Sequence, residues 1–291
     1  MNNAFQPSEE IAMYSITVRK LLIDLESGFG RHWGGGDAFL THYHNALSFS
    51  FPVGEQFFID SVRDASKLLP ATAEHADLHR AVALFIGQEA THRHLHGIYN
   101  KKLQSDGLIN HWGPSATKKL QVLRGRTSNP LHALALTSAF EHLTALFADV
   151  VLRHPQILAK AEPKMRTLWL WHASEETEHN AVAFDLYRAL GGSYQWRILW
   201  YFLALYRFSI ECVRQTTSNL WRDGVLFKAG TWRDAATFIW GRNGMLWLIA
   251  MPLLRYLKRD FHPSLDKQSP TAQELAASWL QAHQDAFREL R

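Results

Sequence analysis

Four stretches of this 291-residue chain each put a glutamate on a segment of helical periodicity, and their spacing repeats. Glu55 precedes Glu89 by 34 residues and Glu141 precedes Glu176 by 35. In each half the second glutamate is followed three positions later by a histidine, His92 and His179. Residues at i and i+3 share a helix face, so each Glu-x-x-His pair can reach one ion together. Two such helices opposed to two single-glutamate helices gather four carboxylates and two imidazoles, the donor set with which helix bundles hold two metal ions. One Glu-x-x-His alone is weak, because chance supplies about one in a chain this rich in Glu and His. The matched repetition is what constrains the fold, to an all-α protein whose four helices surround a dinuclear site.

The neighbouring residues point the same way. Glu89 ends the run Ala81-Val-Ala-Leu-Phe-Ile-Gly-Gln-Glu89, and Glu141 ends Leu134-Ala-Leu-Thr-Ser-Ala-Phe-Glu141. Carboxylates are seldom carried into such apolar surroundings without a partner or a metal. His96, four residues after His92, and His172, four before Glu176, point toward the same face one turn further on. His75, His79 and His94 fit solvated faces. A donor set of four carboxylates and two imidazoles suits iron or manganese better than zinc.

The stretches FPVGEQFF (51–58), GQEATHRHLHGIYN (87–100), AFEHLTALFADVVL (139–152) and WHASEETEHNAVAFDLY (171–187) carry a resemblance. In them the chain resembles the ferritin-like di-iron carboxylate superfamily and, more narrowly, the bacterial family of predicted metal-dependent hydrolases, over residues 45 to 190. The resemblance implies a ferritin-like four-helix bundle with two iron ions as cofactor, manganese being the second choice. It also implies that an acidic or amide residue before each Glu-x-x-His accepts a hydrogen bond from the opposite histidine, so that Glu175 would hold His92 and Gln88 would hold His179. Glu175 and His179 are four apart, so Glu175 is an alternative ligand; the repeat of the three-residue spacing favours Glu176. In oxygenase relatives extra histidines bind metal, so His96 and His172 are read as further ligands, as donors behind the ligands, or as core histidines.

Organisation follows from breakers and periodicity. Residues 1–45 read as an arm and a short helix, with an extended segment at 13–19, turns from Gly28 to Gly36, and a helix from Asp37 to about Leu47. Residues 46–192 read as the metal-binding bundle, with helices at 53–69, 73–103, 115–124, 130–153 and 163–190. Residues 193–291 read as aromatic-rich helices at 195–222, 233–258 and 271–289, the last capped by Ser269-Pro270, packed on the bundle as one structural unit. Nine of the 11 tryptophans follow residue 165, giving this part bulky side chains that favour interfaces. Its uncharged runs, 198–206 and 243–254, fall short of the roughly 20 residues of a membrane span. Packing over the bundle, a homodimer interface, or peripheral contact with a membrane surface remain.

The single cysteine, Cys212, excludes an intrachain disulfide and a multi-thiolate zinc site. With no signal-peptide pattern at the N-terminus, the expectation is a cytoplasmic protein, on the inner membrane face if it meets the membrane. A net charge of +4 spread over scattered basic pairs argues against nucleic acid. Neither a His-Glu-x-x-His nor a Gly-x-Ser-x-Gly motif occurs. The main functional reading is a dinuclear iron enzyme that activates dioxygen to oxidise a small apolar substrate, with an electron-donor protein as partner. The alternative is a two-metal-dependent hydrolase using a bridging hydroxide. Metal storage is disfavoured, because the helices beyond the bundle would obstruct a cage.

Overall fold

The computed structural model describes residues 14–264 and 270–290. Asp37 opens α1 (Ala38–Ser66), its carboxylate accepting from the Leu40 amide at 2.8 Å and so satisfying one of the orphan donors of a helix start. Two helices were expected here, parted before Pro52, and the chain instead runs through as one. Pro52 removes the amide that would bond the Ser48 carbonyl. That carbonyl accepts from Asn100 Nδ2 at 2.8 Å, and the adjoining Phe49 carbonyl accepts from Asn110 Nδ2 at 3.0 Å. Side chains of the following hairpin thus stand in for the lost bond. Glu55 therefore lies near the middle of a 29-residue helix rather than on a first turn.

One 3-10 turn (Ala73–His75) leads into α2 (Ala76–Ser105), which ends at Gly107 with φ +90°. α3 (Trp112–Arg126) follows. Asn129 caps α4 (Pro130–Arg153) with Pro130 in its first turn, where a missing amide costs nothing. α5 (Pro163–His179) was expected to continue to residue 190. It breaks at Asn180 and Ala181, directly after the last candidate ligand, before α6 (Val182–Ala189). Both linking residues keep right-handed backbone angles, so hydrogen bonding is interrupted without a reversal of the chain.

α7 (Tyr194–Arg222) is followed by α8 (Ala229–Trp240) and α9 (Met245–Arg255) in place of the single helix expected at 233–258. Glycines make the division: a Cβ at Gly241 would stand 2.3 Å from the Thr237 carbonyl oxygen, and one at Gly244 2.5 Å from that of Ile239. α10 (Ala272–Ala282) is capped by Thr271 and Glu274, which bond each other's backbone amides reciprocally. Ser269 and residues 8–13 lie outside the described residues. The helix expected to reach 289 gives way to β2 (Phe287–Glu289), paired antiparallel with β1 (Arg19–Leu21), Leu21 facing Phe287. Strand preference is set by the partner more than by local propensity, and this partner lies at the other end of the chain.

Among the described residues the fold is helical apart from that ribbon. α1 lies along α2 and α4, α5 packs on α4, α2 and α10, and α7 covers α1 and α4. Two apolar clusters flank the acids, one around Phe49, Tyr99, Trp169 and Trp171, the other around Phe57, Phe85, Leu134 and Phe184. Each fully buried side chain of this size contributes on the order of 1.5–3 kcal/mol, which offsets the desolvation of the charged residues between them.

Candidate metal centre

Glu55 on α1, Glu89 and His92 on α2, Glu141 on α4, and Glu176 and His179 on α5 converge on one buried space, none more than 5% exposed. His179 Nε2 lies 3.2 Å from Glu89 Oε1, 3.4 Å from Glu141 Oε2 and 3.6 Å from Glu176 Oε2. His92 Nδ1 lies 3.8 Å from Glu89 and 3.6 Å from Glu176. Glu89 belongs to two groups whose donor atoms all fall within 4.8 Å, one with Glu55 and His92, the other with Glu176 and His179. Glu176 is likewise shared, joining Glu89 and His179 in one group and His92 and His172 in another.

The partners behind the histidines decide which ring atom faces the space. His92 Nε2 lies 3.0 Å from Glu175 Oε2, so it carries the proton and leaves the Nδ1 lone pair inward. His179 Nδ1 lies 2.8 Å from Gln88 Oε1. The amide orientation is settled by Gln88 Nε2, which donates to the Thr17 carbonyl at 3.0 Å and to Glu178 Oε2 at 2.7 Å. Oε1 must then accept from His179 Nδ1, which turns Nε2 inward.

Two residues that sequence reasoning missed complete this arrangement. Arg19 on β1 donates to Glu175 at 3.2 Å and forks onto Glu178 at 2.9 and 2.8 Å. One guanidinium therefore steadies both histidine partners. Gly87 lets the arm approach: a Cβ there would come 2.6 Å from Val18 Cγ2, and the same approach brings the Thr17 carbonyl to Gln88. Neither Arg19 nor Glu178 carries a motif, and only the folded arm joins them.

His96 and His172 extend the cluster to one side. Ser48 Oγ donates to Asn100 Oδ1 at 2.8 Å, so His96 Nδ1 donates to Ser48, and His96 Nε2 accepts from His172 Nδ1 at 2.9 Å. The remaining atom, His172 Nε2, stands 2.9 Å from Glu176 Oε1. In the neutral ring it presents a lone pair to that carboxylate, a position a cation would resolve.

Burial holds Glu55 well above the usual carboxylate range, and the neighbouring Glu89 and Glu176 push the same way. Burial also raises Glu141 and Glu89 against the pull of His179. Burial, then His172, presses His92 and His96 well below the usual imidazole value. His179 is the exception: burial lowers it, but Glu176 and Glu141 outweigh that and raise it well above the usual imidazole value, while Glu176 is drawn well below the usual carboxylate range against burial, by His179 foremost.

The fit to metal rests on atoms left over. Both oxygens of Glu55, Glu89 and Glu141, Oε2 of Glu176, Nδ1 of His92 and Nε2 of His179 are buried without a hydrogen-bond partner. Each such orphan costs about 1–3 kcal/mol, more if charged. All belong to the one cluster, and hard carboxylate oxygens with imidazole nitrogens are donors for divalent cations.

A second group, His32, His42 and Asp223, also brings donors within 4.8 Å. Arg31 already holds the Asp223 carboxylate, so this group ties the 28–36 loop to the end of α7. Its members are too scattered in sequence for spacing to find them.

A family model described as predicted metal-dependent hydrolase matches residues 17–267 of the chain. No curated protein and no solved structure matches it significantly.

Proposed function

This chain belongs to the family of predicted metal-dependent hydrolases, and from that premise we propose a metal-dependent enzyme whose centre is a carboxylate-rich pair of divalent ions. Glu55, Glu89, His92, Glu141, Glu176 and His179 hold the pair within a ferritin-like four-helix arrangement of α1, α2, α4 and α5. The observation that carries the proposal is that nine buried atoms without a hydrogen-bond partner are the inward-facing donors of these six residues, gathered in one space. Glu89 and Glu176, each shared between donor groups, would contribute to both ions, and Glu55 and Glu141 would supply the remaining carboxylates. His172 is a further ligand through Nε2, with His96 and Ser48 orienting it.

Such a pair would acidify a shared water for hydrolysis or, as ferrous ions, supply electrons to dioxygen. The family description supports hydrolysis, which is the first reading. Glu141, raised by burial and with His179 at 3.4 Å as its one ion-pair partner among the described residues, is then a residue that would hold a proton removed from water. Oxidation of an apolar substrate is the second reading, favoured by the walls: Phe85 lies 5.0 Å from the His179 ring, Trp171 5.0 Å from His92, and Phe51 5.0 Å from His172. Such walls exclude the water that hydrolysis requires and oxidation avoids.

Purified protein should contain about two transition-metal ions per chain. Turnover of ester or phosphoester substrates by the manganese or zinc form, abolished in Glu89→Ala, establishes hydrolysis. An optical transient on stopped-flow mixing of the ferrous protein with oxygen, without such turnover, establishes oxidation. One zinc per chain, indifferent to Glu89→Ala, rejects the centre.

The roles on α5 are separable. Glu175→Gln should retain metal with affinity lowered on the order of 10–100-fold, and Glu176→Gln should lose it. Chelator competition measures both, and the reverse order exchanges the two roles.

A further inference from the structure

The outer face of α7 is apolar at a spacing that no neighbour in the fold uses. Trp196, Leu199, Leu203, Tyr206, Ile210 and Val213 recur every three or four residues, and all are well exposed. Trp232 and Trp240 of α8 and Trp247, Met251 and Leu254 of α9 add to it, at 51–64% exposure. A monomer's largest exposed apolar patch usually marks an interface.

Charge chooses the occupant. Arg207 of α7, Arg242 in the turn between α8 and α9, and Arg255 of α9 are exposed and make no salt bridge among the described residues. The only acid of α7, Glu211, is buried and engaged by Ser115, Lys119 and Arg214; α9 has none, and Asp234 of α8 faces Arg233. A second copy packed on this face would set arginine against arginine with no free acid to answer. Interleaved tryptophan and arginine instead match the interface of an anionic bilayer, rings at the headgroup level and guanidinium on phosphate. α4 is the one helix among the described residues long and apolar enough to cross a membrane, and 67% of its apolar window is buried in the protein, so a membrane met by α7–α9 would be met at its surface.

A cavity of about 320 Å³ opens through the same face. Val213, Trp232 and Leu246, exposed at its mouth, lead to a lining of Phe147, Phe208 and Ile249, with α4 as its floor beginning at Leu143. The volume is at the lower end for ligand pockets and the lining is almost wholly apolar. Its hydroxyls are those of Tyr43, Ser209, Thr216 and Thr217, and of these Thr216 Oγ1 is buried without a hydrogen-bond partner.

We propose that the α7–α9 face docks on an anionic lipid surface and that the cavity behind it takes one acyl chain from that surface, Thr216 receiving a polar atom of the chain. This goes beyond the metal reading and stands without it. Co-sedimentation of the full chain with vesicles of phosphatidylglycerol and phosphatidylcholine, read with tryptophan emission, tests docking; displacement of a fluorescent fatty acid by oleate tests the cavity. Partition roughly tenfold stronger than onto pure phosphatidylcholine is expected, with a blue shift, weakened about tenfold in Trp247→Ala/Met251→Ala and lost selectively for anionic vesicles in Arg207→Gln/Arg242→Gln/Arg255→Gln. Ser209→Phe, at the cavity rim, should leave docking intact and abolish fatty-acid binding. No partition, vesicle binding without fatty-acid binding, or a dimer in solution dissolved by Trp247→Ala/Met251→Ala would each overturn the proposal; the metal content of the same samples reports separately on the centre.

Discussion

Alanine in place of Glu89 or Glu176 is expected to cost the protein both ions together, whereas Glu141→Gln should leave at least one. The asymmetry follows from geometry. Glu89 and Glu176 each enter two donor groups, so removing either would deplete both, whereas Glu141 enters none of these groups and stands 3.4 Å from His179. In calorimetry the metal-induced rise in melting temperature should vanish for the Glu89 and Glu176 variants. Glu55→Leu should do the opposite to the metal-free protein: both Glu55 oxygens are buried without partners, so an apolar side chain of similar volume should stabilise the metal-free form by about 1–3 kcal/mol while weakening metal binding. Loss of a single ion in Glu89→Ala would deny Glu89 that shared role.

The convergence of the acids is legible in sequence because helical geometry turns spacing into direction. Three residues carry Glu89 to the face of His92, and the 34- and 35-residue intervals give each half one helical hairpin of reach. Gln88 and Glu175 were reachable only by analogy, since nothing in their own spacing tells a hydrogen-bond acceptor from a metal ligand. Helix limits failed where tertiary contacts overrule local signals. Pro52 reads as a start until Asn100 replaces the bond it lacks, and 283–289 reads as helix until β1 pairs with it. Arg19 was invisible for the same reason: its partners Glu175 and Glu178 lie on the far side of the chain in sequence, and an arginine in an extended arm reads as solvated.

That arginine carries the second large effect. Arg19→Met should lower metal affinity on the order of 10–100-fold and destabilise the fold by about 3 kcal/mol, near the lower end for breaking a buried ion pair because Glu178 is 14% exposed. Without the guanidinium, Glu175 is a buried carboxylate whose pKa burial already raises and Arg19 now opposes. Losing Arg19 would drive it further up, and the less ionised Glu175 becomes, the less firmly it holds His92 as an acceptor. Glu178 would release Gln88 in turn, and the Gln88 amide could flip and unseat His179. Arg19→Lys restores the charge but not the fork that spans both acids, so it should recover stability more than metal affinity. Chelator competition and thermal melts with and without metal separate the two effects. A variant that melts lower yet binds metal as tightly as the parent would reduce Arg19 to an anchor for the arm, and the orientation of both histidines would then have to come from the helices alone.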